Sequence, residues 1–554
     1  MAYEEFRWRR YSSLLKQSPV IKGLIGRIKD TERGKTFTAR DALIFSILFF
    51  ISLSLYFEYL RVASFFTDDW TIIGIIQSNN GFHETWSRLI SGNPRRPVMW
   101  IFYYAVFGLF HQNATIPAFI AIALLWLQAS MLYRIMVTLG LSYIFALMVS
   151  TILILLPAAD STRLWFSGST LTLALDFLLI SILFGLSGIS SVRQSRSIIF
   201  WSLSFLFCLL AGLTYEATIP FLALGCCAYF FASGKNMRTA KACVAPLSAA
   251  IIVVTYVSSQ LRPDVPGYKV PGWAYIYDRI ILFANESIQI LGEMLPGKAT
   301  YSGVLILIVS AGFALHPLPL KYRSTKVALV VGWLIFICGY TSFLLAPPQI
   351  HPLATGWDNR CNAFSAIGAA LILSAIAIAL YHLLNDLTIF TGRRQPLIRN
   401  CRTTLCLIVT ASWFLYLAYE NTLNQRNWIV AASESNKVIS GFKSSVLPIF
   451  KCGRTENVIA SNVPAYVSNG IFVFENEVTL TGMLRSISRC ATASAVQMDA
   501  YRIKRCGVEG VSIVSPSGDI ISKYQYGYVI AYSEHERPPA MRVDNFQSCL
   551  RAAP

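Results

Sequence analysis

The chain has 554 residues, of which 55% are hydrophobic and only 14% charged, and its formal net charge is +18. A water-soluble chain carries about 25% charged residues, so this composition excludes a protein that faces water throughout. Nor does the basic excess point to nucleic acid: it falls mainly in the N-terminal segment and in short loops between apolar runs, the pattern of a polytopic membrane protein with its basic loops inside.

Residues 1–40 form a basic segment whose stretch SLLKQSPVIKGLIGRIKD is weakly amphipathic. It fits a helix lying on an anionic cytoplasmic leaflet and a solvated tail equally well. Its polar character ahead of the first apolar run gives no reason to expect a cleavable signal peptide. The first span is expected near 42–62, followed by a polar and aromatic outer loop at 63–97. Further spans are expected near 116–133, 141–157, 169–190, 198–213, 215–232, 242–260, 301–315, 327–346, 363–384 and 403–421, each close to the ~20 residues needed to cross a bilayer. Two more apolar segments, 98–110 and 279–295, are ambiguous. If both cross, Arg193, Arg196, Lys235, Arg238 and Lys241 face outward; if neither does, those residues, Lys321, Arg323, Lys326 and the arginines of 393–402 all face the cytoplasm. The second count is preferred. The fold class is thus a polytopic α-helical membrane protein with about eleven full crossings plus two partial or interfacial helices, eleven to thirteen in all. The N-terminus is inside, and a small α/β domain at 422–554 lies outside.

That tail has ordinary globular composition. NVIAS, GIFVF, VSIVS and YGYVIAY read as strands, with helix-like TLTGMLRSISRCATASAVQMDAYRI among them. Its cysteines, Cys452, Cys490, Cys506 and Cys549, form an even set on the oxidising side, which favours two disulfides of undetermined pairing.

This topology collects unusual polar residues on one face. Asp68, Asp69, His83, Arg95 and Arg96 lie in the first outer loop, and Asp160 and Arg163 in PAADSTRLWFSG. Tyr215 and Glu216 occupy a short apolar turn, Lys269 a later loop, and Arg360 the last. Asp160 and Asp358 have a structural reading too, as carboxylates pairing with an arginine at the end of a span. Glu216 has apolar neighbours on both sides, and an ionisable residue at that depth usually faces a cavity or a partner. The adjacent Asp68 and Asp69 require cations nearby if both are to be charged in a low-dielectric setting.

An acidic pair just beyond the first span, Asp68-Asp69-Trp70, followed by Gly92-Asn93-Pro94-Arg95-Arg96-Pro97 before an apolar segment, resembles the GT-C superfamily of membrane glycosyltransferases. The resemblance extends as architecture over roughly 40–420, so 41–421 is read as the catalytic module. Two arginines before Pro97 depart from the pattern of many members. The resemblance implies transfer of a sugar from a polyprenyl-phosphate or polyprenyl-diphosphate donor to a hydroxyl of a surface glycan or glycolipid, such as lipopolysaccharide, at the outer face of the plasma (inner) membrane. It implies Asp68 or Asp69 as the base, with inversion at the sugar carbon. Arg360 is the first candidate for the leaving phosphate, with Arg163, Arg95, Arg96 and Lys269 in reserve. Asp160, Tyr215 and Glu216 are candidates for sugar hydroxyls, His83 for the acceptor, and Trp70 for stacking on a sugar face. No compact metal-ligand set appears and no cofactor is expected, although the acidic residues leave room for Mg or Mn. Two other readings stay open: a flippase for a lipid-linked sugar, and a glycan polymerase or ligase of another superfamily.

Overall fold

The computed structural model describes residues 37–497, apart from 80, 234–236, 261–271, 316–322, 345, 347–349, 387–394, 449, 451, 453–456, 462 and 468–470; beyond 497 it describes the backbone of five strands. Helix α1 (Ala39–Val62) opens with a capping box, Thr38 and Asp41 each bonding the other's backbone N–H. Asp41 is buried and also pairs with Arg134 at 3.1 Å. The expected outer loop 63–97 is mostly helical: α2 (Asp68–Ser78) and amphipathic α3 (Phe82–Gly92) lead to α4 (Pro97–Phe110), which has proline at its first turn. Then follow α5 (Thr115–Thr138), α6 (Tyr143–Leu155), α7 (Thr170–Ser190), α8 (Gln194–Thr214), α9 (Ile219–Ser233) and α10 (Met237–Ser259). The remaining helices of this part are α11 (Trp273–Glu293), α12 (Ala299–Leu315), α13 (Arg323–Thr341), α14 (Asn362–Asp386) and α15 (Gln395–Gly441).

Among the described residues, eight helices are long and apolar enough to cross a membrane, against the eleven expected. The segments 97–110, 143–155 and 299–315 form shorter apolar helices. The expected span 141–157 ends early for a visible reason. Arg163, only 2% exposed, reaches back to the last turn of α6 and donates to the carbonyls of Leu153 at 2.7 Å and Ile154 at 3.2 Å, and to the Tyr56 hydroxyl at 2.8 Å. A guanidinium at a helix C-terminus satisfies carbonyls that have no intrahelical partner and complements the helix dipole. The expected span 403–421 lies inside α15, whose 47 residues cover roughly 70 Å. That is more than twice a ~30 Å hydrocarbon core, and the helix runs through 421 and 422, where the tail was expected to begin.

The C-terminal part contains β1 (Asn457–Ser461), β2 (Tyr466–Val467), β3 (Ile471–Phe472), α16 (Glu477–Ser488), β4 (Ser494–Gln497), β5 (Arg502–Gly507), β6 (Gly510–Val514), β7 (Ile520–Tyr524), β8 (Gly527–Ser533) and β9 (Ala540–Asn545). Its largest sheet has the order β4-β1-β8-β9, with β1 parallel to β4 and β8. A parallel pair needs a crossover, and α16 lies within the connection from β1 to β4. The helix expected over 479–503 therefore stops at Ser488 and yields to strands. Cys452 and Cys490 form a disulfide with Cα atoms 5.6 Å apart; the side chains of Cys506 and Cys549 lie outside the described residues.

Helix α16 packs on α2 at two facing glycines. A Cβ on Gly482 would sit 2.4 Å from the Trp70 carbonyl oxygen, and one on Gly74 would sit 2.6 Å from the Gly482 Cα. Only hydrogen at both positions permits so close a backbone approach.

Candidate active site

A cavity of about 300 Å³ lies between α2, α3, α4 and the start of α7. Asp68 lines it, as do Arg88, Arg96, Arg360, Tyr215 and Trp165. Asp68 is the first residue of α2, and its carboxyl is open to the cavity although protein surrounds it more widely. That enclosure pushes its pKa above the ordinary carboxylate value, while Arg360 and then Arg96 draw it back.

Asp69 is wholly buried behind the cavity wall. Its Oδ1 accepts from the Ser167 amide at 3.0 Å and from the Ser167 hydroxyl, and its Oδ2 accepts from the Phe66 amide at 3.1 Å. Burial raises its pKa to about 7 against the pull of these donors, with the neighbouring Asp68 adding to the rise. One aspartate thus faces the cavity, and the other joins the start of α2 to the start of α7.

Between Phe66 and Asp68, Thr67 has a φ of +28°. For a β-branched residue this is an outlier, of a kind that costs about 1–3 kcal/mol and persists only where surrounding structure imposes it. The Thr67 amide donates to the Val473 carbonyl at 3.2 Å, and its hydroxyl donates to Glu475 Oε2 at 2.9 Å.

The cations are held individually. Arg96 grips Glu216 through two bonds of 2.6 and 2.7 Å and lies over the Tyr215 ring at 3.7 Å. Arg95 approaches the same Glu216 at 3.8 Å and bonds Asn93 at 3.3 Å. Glu216 therefore meets the arginines of the first outer segment. Arg360 stands 5.7 Å over the Trp165 ring. Arg88 pairs with Glu84 one helical turn away at 2.9 Å.

Other sequence candidates lie away from the cavity. Asp160 is 3% exposed; it accepts from Trp428 Nε1 at 2.7 Å, from the Ser161 amide at 2.9 Å and from Asn359. Burial lifts its pKa to about 6 against those donors. Its contacts tie three chain segments together. Arg163 is the buried helix terminator described above. Trp70 is buried, donates to the Phe65 carbonyl at 3.1 Å and packs edge-on against Phe65. His83 is exposed on α3. His351 pairs with Glu286 at 2.9 Å. Lys269 lies outside the described residues, as do the side chains of Trp357 and Asp358. Among the described residues, no three His, Cys, Asp or Glu side chains come together as a metal site.

Residues outside the candidate set complete the wall: Trp100 and Tyr103 from α4, Ser167 just before α7 and Thr170 at its start, with Arg88 from α3, one of the polar residues of the first outer loop. Trp100 Nε1 donates to the Asn93 carbonyl at 2.8 Å, and the Tyr103 hydroxyl to the Ser167 carbonyl at 2.8 Å. Their signal is the spacing of Arg96, Trp100 and Tyr103 at i, i+4 and i+7, one face of a helix.

No family model matches the chain, and no curated relative does. Among solved structures, the chain is similar to ArnT from Cupriavidus metallidurans, bound to undecaprenyl phosphate, with 10% identity and a TM-score of 0.43 over 88% of this chain and 93% of that one. It is also similar to an Archaeoglobus fulgidus oligosaccharyltransferase in complex with Zn and sulfate, with 10% identity and a TM-score of 0.37 over 81% of this chain and 61% of that one. The same archaeal enzyme tethered to an acceptor peptide gives 10% identity and a TM-score of 0.35, over 81% and 63%. The chain thus spans less than two thirds of the archaeal enzyme's length. At such scores and identities these likenesses carry no argument about the chain's family or activity.

Proposed function

We propose that the chain is a membrane glycosyltransferase that moves a sugar from a polyprenyl-phosphate or polyprenyl-diphosphate donor to a hydroxyl of a surface glycan or glycolipid. The observation that carries this reading is an accessible carboxylate, Asp68, opening onto a cavity shared by three arginines and walled by Trp100, Tyr103, Trp165 and Tyr215. A carboxylate accepts the proton of an attacking hydroxyl. Guanidinium groups stabilise phosphate oxygens as charge gathers on them. Aromatic rings offer flat apolar faces to a sugar. A donor whose tail stays in the bilayer has to be met at the membrane, and helices suited to crossing it adjoin the cavity.

In the proposed reaction the acceptor oxygen forms a bond to the anomeric carbon while the bond from that carbon to the phosphate oxygen breaks. Asp68 takes the hydroxyl proton, and the lipid phosphate leaves toward Arg360, Arg96 and Arg88. Direct displacement inverts the anomeric centre. Asp69 keeps the first turn of α2 in place and takes no proton from the acceptor. The catalytic module is 41–421, the C-terminal domain faces outward with this site, and the membrane is the plasma membrane.

Asp68→Asn tests the reading. With protein in proteoliposomes and polyprenyl-phosphate-linked sugar extracted from the native host, transfer to host glycan should fall by roughly 100-fold or more, with undecaprenyl phosphate still bound. Asp69→Asn should instead lower thermal stability, because its amide NH2 would face the Phe66 or Ser167 donors. Full transfer by Asp68→Asn would remove the proposed base. Movement of the lipid-linked sugar across the bilayer without transfer would favour the flippase reading.

A further inference from the structure

The residue that aims Asp68 is strained, and what holds it lies some 400 positions further along the chain. Within the turn, the Asp69 amide donates to the Phe66 carbonyl at 2.8 Å and the Phe66 amide to Asp69 Oδ2 at 3.1 Å, but neither bond engages Thr67 itself, for which a positive φ is unfavourable. Two bonds carry Thr67 outside α2, and both go to one short segment: its amide donates to the Val473 carbonyl and its hydroxyl to Glu475 Oε2. The same segment runs directly into α16, whose start is capped by the Asn476 side chain accepting from the Val478 and Thr479 amides at 3.0 Å. Helix α16 then crosses α2 at Gly74 and Gly482, and at the far end of α2 the Ser486 hydroxyl donates to Gln77 at 3.0 Å. The helix bearing the cavity carboxylate is therefore clamped before its first residue, at its middle and near its end by 473–488.

Resting on the glycosyltransferase reading, we infer that segment 473–488 positions the base, with Glu475 a positioning residue acting through Thr67 on Asp68. The physical reason is local. Asp68 follows Thr67 directly and, unlike Asp69, is not anchored by Ser167 or Phe66, so relaxation of Thr67 to a negative φ re-aims its carboxyl relative to the arginines. The C-terminal part is then a component of the active site. Glu475 itself is absent from the cavity wall.

The test uses the full chain in detergent with Asp68→Cys as a reporter. Labelling of the introduced thiol by a small charged methanethiosulfonate is followed by peptide mass spectrometry, with Glu475 retained or changed to Gln or Ala. Gln keeps an oxygen to accept from Thr67, so its rate should match the parent; Ala should change the rate roughly tenfold. Thr67→Val, which loses only the hydroxyl function, should reproduce the Ala result, and the two together should add nothing further. With Asp68 intact, Glu475→Ala should lower kcat for the lipid-linked donor and leave its KM unchanged. Equal rates for all three residues at 475, equal shifts for Gln and Ala, or additive effects with Thr67→Val would overturn the inference. Protection of the introduced thiol by undecaprenyl phosphate reports separately on the function. If that protection is missing while the Ala shift is present, the glycosyltransferase reading fails and the positioning role stands.

Discussion

Two adjacent carboxylates become two different groups because a helix turns about 100° per residue. Asp68 points into the cavity, and Asp69 points back into the protein toward Ser167 and Phe66. The pair was visible in the sequence, but the direction of each member was not, since it depends on what packs against the first turn of α2. The electrostatics give a testable consequence. A base works ionised, so transfer is lost as pH falls through the pKa of Asp68, which enclosure holds above the usual carboxylate value. Arg360 is the larger of the two cationic influences lowering that pKa. Arg360→Gln removes it, so the acid limb of the kcat profile should move to higher pH, and the donor KM should rise. An acid limb that stays in place would separate Arg360 from the base. Because burial raises the pKa of the adjacent Asp69 as well, to about 7, the measured limb belongs to the pair.

At the scale of elements, several residues chosen for chemistry prove to hold helices together. Arg163 was a candidate phosphate ligand because it is an arginine near an outer turn. The chain instead folds it under α6, where the carbonyls of Leu153 and Ile154 and the Tyr56 hydroxyl receive its protons. Arg163→Met should leave those carbonyls buried without donors. Bonds to a charged group are worth about 1.5–3 kcal/mol each in measured series, so the melting temperature in detergent should drop by several degrees. Binding of undecaprenyl phosphate by the protein that remains folded should be little changed. Loss of that binding with an unchanged melting temperature would return Arg163 to the ligand set. Asp160 belongs to the same class: its bonds to Trp428 and Asn359 join the second outer turn to α15 and to the segment before α14. In contrast, 98–110 read only as an ambiguous apolar segment, counted as a partial or interfacial helix. Its face carrying Trp100 and Tyr103 turns out to line the cavity.

For the whole molecule, the proposed orientation places α3, the cavity and the C-terminal part outside, and the α7–α8 turn inside. Exposed positions exist on each side: His83 and Val478 on the first, and Val192 on the second. A membrane-impermeant maleimide should label His83→Cys and Val478→Cys in intact cells, and Val192→Cys only after permeabilisation. The reverse pattern would move the proposed site to the cytoplasm. Residue 160 is unsuitable for such labelling because it is 3% exposed. The Cys452–Cys490 disulfide suits the same orientation, since such bonds persist in oxidising compartments.

Composition and hydropathy by themselves determined that the chain is a membrane protein, the approximate places of most long apolar helices, and several strands of the tail, NVIAS at β1 among them. These follow from local patterns, because the need to satisfy backbone groups in hydrocarbon acts on each segment separately. Charge bias along the loops supplied the proposed sidedness. The tertiary structure decided which polar residues meet. Glu216 found its partner in Arg96, 120 positions away, and Thr67 found Glu475, 408 positions away. Contacts of that separation leave no local periodicity to read. Whether an aspartate or arginine opens onto a cavity or serves a buried helix end is a property of its neighbours in space.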